Sequence, residues 1–149
     1  MAFSLHETGE EFIQKLVWTP SEITRPSNLE VLLFDNSEDD LTDSSDVEDI
    51  ETEPTDGNYT RQTVSFDSDG FSILTEDSDS VADMIDITFD VINTTGDVDA
   101  FAVIGEFESD RAGDTEPQEH IIFAGGLDQS YPLDKSDELT VENGGISLD

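Results

Sequence analysis

Residues 85–91 read Ile85-Asp86-Ile87-Thr88-Phe89-Asp90-Val91, a strict alternation of apolar and polar side chains. A period of two predicts a β-strand with one dry face and one wet face. The alternation stops at residues 93–96, which include an asparagine and a glycine suited to a turn. The stretch therefore predicts a strand in a sheet that is covered on one side only.

Apolar runs on both sides of this stretch predict about eight strands in all, separated by turn residues. Residues 29–34 and 98–107 carry apolar side chains at consecutive positions, as expected of strands buried on both faces. The other predicted strands are 59–66, 85–91, 121–124, 130–133, 139–141 and 146–148, with 71–74 as a further candidate. Many short strands at this spacing favour a mainly β fold, an antiparallel β-sandwich, in a single domain over residues 1–149.

The main exception to this β pattern is one short N-terminal helix, predicted over residues 8–18. Thr8 and Glu11 have the spacing of a capping box, and Pro20 follows as a stop signal. One helical face carries Phe12, Ile13, Leu16 and Val17. Two roles stay open for Phe12, Leu16 and Trp18: packing against the protein's own sheet, or docking on a partner.

The charge balance excludes several classes of function. The chain has 38 acidic and five basic residues, a net charge of −33, and no cysteine. Five scattered bases cannot form the basic patch that nucleic acid or anionic lipid requires. No apolar run is long enough to span a membrane, and we expect no secretory signal, because the N-terminus has neither a basic nor an apolar region. The absence of cysteine excludes disulfides, thiolate catalysis and thiolate metal sites.

Residues 35–56 are predicted to be a long, solvated acidic loop, since 11 of these 22 residues are acidic and none is basic. So acidic a chain repels itself in dilute buffer, whereas molar salt reduces the Debye length to about 3 Å. The charge therefore favours a halophilic protein. A merely acidic mesophilic protein and an acidic DNA mimic are the alternatives.

No catalytic, cofactor-binding or metal-binding residue is predicted. His6 and His120 lack the spacing of a metal or acid–base pair, and we expect structural imidazoles. Serines 65, 72 and 80 lack a nucleophile elbow, and the Gly-Gly pairs at 125–126 and 144–145 indicate turns or bulges. The acidic residues around 39–43 and 67–70 offer oxygens but no complete calcium loop. Arg61 is expected either to pair with a nearby acid or to contact a buried or interface partner.

Taken in order, these segments resemble a family of small tailed-phage virion proteins that are usually labelled tail fibre proteins. That family has a short helix, a proline, a Leu-Tyr-Val-Ala-Leu-Phe strand, an acidic or polar loop, a Gly-Gly-Tyr-x-Arg-x-x-Val-x-Phe strand and an Asp-Val-Thr-Phe strand. The corresponding segments here are residues 12–17, Pro26, 29–34, the acidic loop 35–56, residues 56–66 and residues 86–89. The family's later strands correspond to residues 98–107, 121–127, 135–141 and 146–149. Two departures are the greater acidity of the loop and Gly57-Asn58 in place of Gly-Gly.

The resemblance implies a non-enzymatic structural component of a virion, without cofactors. With the acidity, it indicates a tailed virus of a halophilic archaeon, whose particles assemble in the host cytoplasm at high salt. The expected partners are other virion proteins, either the major capsid protein or tail proteins, and a homo-oligomer around a symmetry axis. Because the chain has no heptads or repeats for a shaft, a capsid decoration or turret module is favoured over a tail fibre or baseplate subunit. An acidic DNA mimic and an adhesin or lectin-like domain remain alternatives of another class.

Overall fold

The computed structural model describes residues 4–76, 79–142 and 144–147. The strands are β1 (Ser4–Leu5), β2 (Asn28–Phe34), β3 (Gln62–Ser65), β4 (Phe71–Glu76), β5 (Asp79–Met84), β6 (Ile87–Asp90), β7 (Asp97–Phe107), β8 (Gln118–Pro132), β9 (Glu138–Val141) and β10 (Gly144–Ser147). The helices are α1 (Glu7–Trp18) and the single turn α2 (Asn36–Asp39), with 3-10 turns at Pro20–Glu22, Val47–Asp49 and Leu133–Lys135.

The main sheet has the order β1-β8-β7-β2-β3, and every neighbouring pair in it is antiparallel. Strands β2 and β7 lie in its middle and are buried on both faces, as their continuous apolar runs predict. Along β2, Val31 and Leu33 belong to one core cluster, whereas Leu32 and Phe34 belong to the cluster on the opposite face. The two-sided burial predicted for residues 29–34 and 98–107 is confirmed.

A second layer consists of the sheets β10-β5-β4 and β6-β9. Met84 pairs with Gly144 and Ile87 pairs with Val141, so β5 and β6 continue one another in the same register against β10 and β9. Counted in this way, the described residues form eight antiparallel strands and one main helix. The prediction of a mainly β, antiparallel fold with an N-terminal helix is confirmed.

The alternating stretch forms β6 in the second layer, and its apolar side chains belong to the core. Ile87, Phe89 and Val91 are buried, while Thr88 and Asp90 are exposed, as the period of two requires. Ile85 does not follow the pattern: it is 50% exposed, because β6 begins only at residue 87. The alternation therefore identifies the buried strand correctly, but places its start two residues early.

Helix α1 packs across the main sheet, with Phe12 1% exposed and stacked on Phe107 at 4.5 Å between ring centroids. The predicted capping box is wrong. His6 is the N-cap and its side chain makes no cap bond, while the Thr8 hydroxyl donates to the Ile121 carbonyl at 2.6 Å. Thr8 binds the neighbouring strand because α1 lies directly on β8, and tertiary contact outweighs the local cap.

Strand β8 unites two predicted strands, 121–124 and 130–133, into one. The register against β7 shifts twice, once between Val103 and Ile104 and once between Val98 and Ala100. Gly125 and Gly126 pair regularly with Phe101 and Ala100, and the second irregularity follows them at residues 127–130. Gly144 and Gly145 pair regularly with Met84 and Asp83, so the prediction of turns or bulges at the two Gly-Gly sites is wrong. Near the C-terminus, β10 spans residues 144–147, so it begins two residues before the predicted 146–148 strand and includes residues 146 and 147; Leu148 lies outside the described residues.

The acidic segment 35–56 is more ordered than the predicted solvated loop. It contains α2 and the 3-10 turn Val47–Asp49. Its half-buried Leu41, Val47 and Ile50 pack on the second face of the main sheet. Because β2 and β7 are apolar on both faces, the second face needs a cover, and the few apolar side chains of this segment provide it.

Candidate functional site

The most tightly coupled ionisable cluster surrounds His120 at the start of β8. The His120 side chain is 4% exposed, and its Nδ1 and Nε2 lie 2.5 Å from Asp46 Oδ2 and Asp114 Oδ2, respectively. The two carboxylates are themselves only 13% and 10% exposed. The imidazole thus lies between two largely buried acids from loops that are remote in sequence.

Protonation of His120 is favoured by these acids. Burial alone would lower its pKa, but the hydrogen bonds to Asp46 and Asp114 outweigh burial and raise the pKa to about 8. At neutral pH the ring is therefore an imidazolium that donates one hydrogen bond to each carboxylate. The imidazole also contacts the Phe107 ring, with 5.0 Å between centroids and the two planes tilted by 50°.

Asp46 connects this cluster to the acidic segment. Its Oδ1 accepts hydrogen bonds from the Ile121 and Val47 backbone N–H groups, both at 2.9 Å. Burial alone would raise the pKa of Asp46, but the hydrogen bond from His120 and those from the two backbone groups together lower it below 3.8. We refer to Asp46, Asp114 and His120 as the histidine clamp, because they fasten the acidic segment and the β7–β8 loop to one strand.

A second cluster fixes the other end of the acidic segment. Arg61 binds Glu53 through Nε at 2.8 Å and through Nη2 at 2.9 Å, and it also contacts Glu119 at 3.4 Å. This forked pairing raises the pKa of Arg61, since the hydrogen bonds that it donates to the Glu53 carboxylate outweigh burial. Of the two roles left open for Arg61, pairing with a nearby acid is the one observed.

Tyr59 joins this cluster to the core. Its hydroxyl accepts a hydrogen bond from the buried Leu33 N–H at 3.0 Å and donates one to Glu53 at 3.2 Å. Burial raises the pKa of the phenol well above its ordinary value. Its ring stacks on Phe89 with 5.8 Å between centroids, so one residue links the acidic segment, the central strand β2 and the second layer.

Tyr59→Phe is expected to lower the free energy of unfolding by about 1–3 kcal/mol, because it leaves a buried backbone N–H without an acceptor. Urea unfolding at constant high salt measures the change. Thr60→Val, at an exposed neighbouring residue, is the control and should alter stability by less than about 0.5 kcal/mol. An unchanged midpoint in Tyr59→Phe would contradict this role of the hydroxyl.

A third cluster lies where α1 meets the β7–β8 loop. Glu11 accepts hydrogen bonds from the Ser109 hydroxyl at 2.7 Å and from the Asp110 N–H at 2.6 Å, and it pairs with Lys15 at 3.1 Å. Burial alone would raise the pKa of Glu11, but these contacts together lower it. The predicted capping residue is therefore used to hold the loop.

The molecule also has an open apolar cleft of about 600 Å³ between α1 and the β4–β5 hairpin. The side chains that line it are mostly aliphatic and aromatic: Phe12, Ile13, Leu29, Phe66, Phe71, Ile73, Ala82, Ile122 and Phe123, with Arg25, Asp67 and Ser68 at polar positions. The Arg25 guanidinium lies over the Phe66 ring, 4.4 Å from its centroid.

The remaining candidates from the sequence serve local structure. His6 is buried, and its Nδ1 lies 2.9 Å from the Ser45 carbonyl. Asp39 accepts hydrogen bonds from Thr52, and Asp67 accepts one from the Asp69 N–H. Within the described part of the chain, no group of three or more histidine, aspartate and glutamate side chains is arranged to hold a metal ion.

Sequence reasoning did not foresee the histidine clamp. Asp46, Asp114 and His120 belong to three separate segments, and each carboxylate is one among 38 acids. One usable signal is the Asp46–Asp49 pair, which forms a reciprocal capping box around the 3-10 turn. That box would have indicated local order in the acidic segment, but not its partner.

Comparison with protein-family models, curated proteins and solved structures finds no match for this chain. Among the described residues, no helix has the length and apolar character needed to cross a membrane.

Proposed function

We propose that this chain is a non-enzymatic structural component of the virion of a tailed virus that infects a halophilic archaeon. It is a compact module on the particle exterior, a capsid decoration or turret protein, that contacts the major capsid protein. The proposal combines the order of the strands, which resembles that of tailed-phage virion proteins, with the acidity of the surface.

The non-enzymatic part of the proposal is supported by one observation: the polar atoms of His120 and Arg61 are already hydrogen-bonded to carboxylates of the same chain. Both ring nitrogens of His120 are engaged by carboxylates, and the Arg61 fork is occupied by Glu53. A general base needs a free acceptor nitrogen, and an anion-binding arginine needs free donors. These groups hold loops on a sheet, as expected of a protein with a structural role.

The excess of acidic over basic residues supports the proposal that the host is a halophilic archaeon. Three of the five bases, Lys15, Arg61 and Arg111, form salt bridges with acids of the same chain. Five bases cannot neutralise 38 acids, so the surface repels itself until salt screens it.

Stability is therefore expected to rise steeply with salt. Raising KCl from about 0.1 M to about 3 M reduces the Debye length from about 10 Å to less than about 3 Å, and the melting temperature should increase by about 10 °C or more, equivalent to about 2–5 kcal/mol. Circular dichroism melts provide the measurement. Sucrose, which stabilises by exclusion without screening charge, is the control and should give the smaller increase. Equal stability across this salt range would contradict the halophilic assignment.

Mass spectrometry of purified particles tests the virion role. The chain should be present in particles banded on a density gradient and absent from the supernatant of washed particles. Immunogold labelling then separates the exterior capsid position from a tail fibre or baseplate position. Absence from intact particles would overturn the proposal, and label on tails alone would overturn the capsid position.

A further inference from the structure

Strand β4 is an unprotected edge of the second layer. In the order β10-β5-β4, and among the residues that the structure describes, it is paired only on the β5 side. The Ile85 N–H donates to the Gly70 carbonyl at 3.0 Å, which fixes the phase of the β4–β5 ladder. In that phase, Ser72 and Leu74 hydrogen-bond to β5, whereas the backbone groups of Ile73 and Thr75 point away from it.

This edge is apolar in a chain that is otherwise densely charged. Ile73 is 72% exposed and Leu74 is 41% exposed, and residues 70–75 contain no charged side chain. Folded proteins ordinarily guard a long edge with lysine, proline, a bulge or an inward charge, because free backbone groups recruit another strand. Among its residues 71–75, β4 has none of these devices.

The apolar cleft opens beside the same edge. Phe71 and Ile73, on the inner side of β4, contribute to its lining together with Ile13 of α1. A strand added next to β4 would place every second side chain on this inner side. The edge thus offers backbone hydrogen bonds and apolar contact at one place, the combination used in β-strand addition.

We propose that β4 is a dimerisation edge, on which a second copy of this chain adds its own β4 antiparallel and centred on Ile73. In this register Ile73 faces Ile73 of the second copy, Ser72 faces Leu74, and Phe71 faces Thr75. Each of these pairs is uncharged, so the repulsion that like charges cause across a ladder is absent at the centre of the joint.

The observations favour a second copy over a strand from another protein for two reasons. The edge is self-complementary, because the same uncharged residues serve on both sides of the two-fold axis. The resulting six-stranded layer is also closed, since each copy uses its single free β4 edge and no further copy can add there. The inference does not depend on the virion role.

Sedimentation equilibrium of the full chain at about 3 M KCl, where the charge is screened, tests the proposal. We expect dimers of the wild-type chain. Ile73→Pro removes an N–H that points away from β5 and keeps the β4–β5 ladder intact, and Ile73→Glu places like charges opposite each other across the two-fold axis. Each variant should weaken dimerisation at least tenfold while the monomer retains its far-ultraviolet circular dichroism.

Ile92→Glu is the matched control, since Ile92 is 41% exposed in a turn between β6 and β7; it should dimerise like the wild type. Dimers that persist undiminished in both Ile73 variants would overturn the assignment of the edge. A wild-type chain that stays monomeric at about 3 M KCl would overturn the second copy as occupant, and would leave a strand of a different protein as the partner for β4.

Discussion

Replacement of His120 by leucine is expected to lower the free energy of unfolding at pH 7 by about 3–5 kcal/mol, the cost of breaking a buried ion pair from one side. The imidazolium is the common partner of Asp46 and Asp114, and all three side chains are at most 13% exposed. Leucine would leave two carboxylates close together without the positive charge between them. Urea unfolding at constant high salt measures the loss.

The clamp makes stability depend on pH in a defined direction. The folded-state pKa of His120 is about 8, above its unfolded value of about 6.5. Its contribution is therefore complete below about pH 6.5 and is lost as the pH rises through about 8, a change of about 2 kcal/mol. Asp46 acts in the opposite direction: its pKa is lowered, so its contribution is present above about pH 4 and is lost at lower pH.

Two variants separate the charge of the clamp from its packing. In His120→Gln, the decline of stability between about pH 6.5 and pH 8 should disappear, because glutamine does not titrate. In His120→Leu, the added changes Asp46→Asn and Asp114→Asn should recover part of the loss, since no uncompensated charge is then buried. His6→Gln, at the other buried histidine, should keep the alkaline decline. A decline that survives in His120→Gln would rule out His120 as its source.

The sequence predicts those strands whose burial is either periodic or continuous along the chain. Residues 85–91 alternate because one face of the strand is dry, and residues 29–34 are continuously apolar because β2 is covered on both faces. Both features depend on the strand's own residues. The acidic segment is different, since Leu41, Val47 and Ile50 cover the sheet with too few apolar groups to produce a period.

The clamp could not be predicted for a related reason. Asp46 and Asp114 become partners of His120 because two loops bring them there. Composition alone does not distinguish them from the other acids as partners of this histidine. Thr8 and Glu11 show the converse error. Their spacing fits a cap, but Thr8 binds Ile121 and Glu11 binds Ser109. Both partners belong to neighbouring elements, which the local spacing of the sequence does not reveal.

A second large effect is expected at Gly9 in helix α1. In a free helix, Gly→Ala stabilises by about 1 kcal/mol, so the ordinary expectation is a gain. Here a Cβ at residue 9 would lie 1.9 Å from the Ile122 carbonyl oxygen and 2.7 Å from its carbonyl carbon. Both are backbone atoms of β8, beside the register shift that separates Ile121 from Phe123, and no side-chain rotation relieves the contact.

Gly9→Ala should therefore reverse the usual sign and lower the free energy of unfolding by about 3 kcal/mol or more, the upper part of the range for overpacking. The helix would have to move away from the sheet, which separates Phe12 from Phe107 and breaks the Thr8 hydrogen bond to Ile121. Urea unfolding and near-ultraviolet circular dichroism, which reports the packing of the aromatic rings, measure the change.

Gln14→Ala, at an exposed position of the same helix, is the matched control and should change stability by less than about 0.5 kcal/mol. Adding Ile122→Ala to Gly9→Ala distinguishes backbone from side-chain crowding. Because the clash is with main-chain atoms, the smaller side chain should not restore stability. A gain of stability in Gly9→Ala, or full rescue by Ile122→Ala, would show that α1 does not lie directly on the β8 backbone at this point.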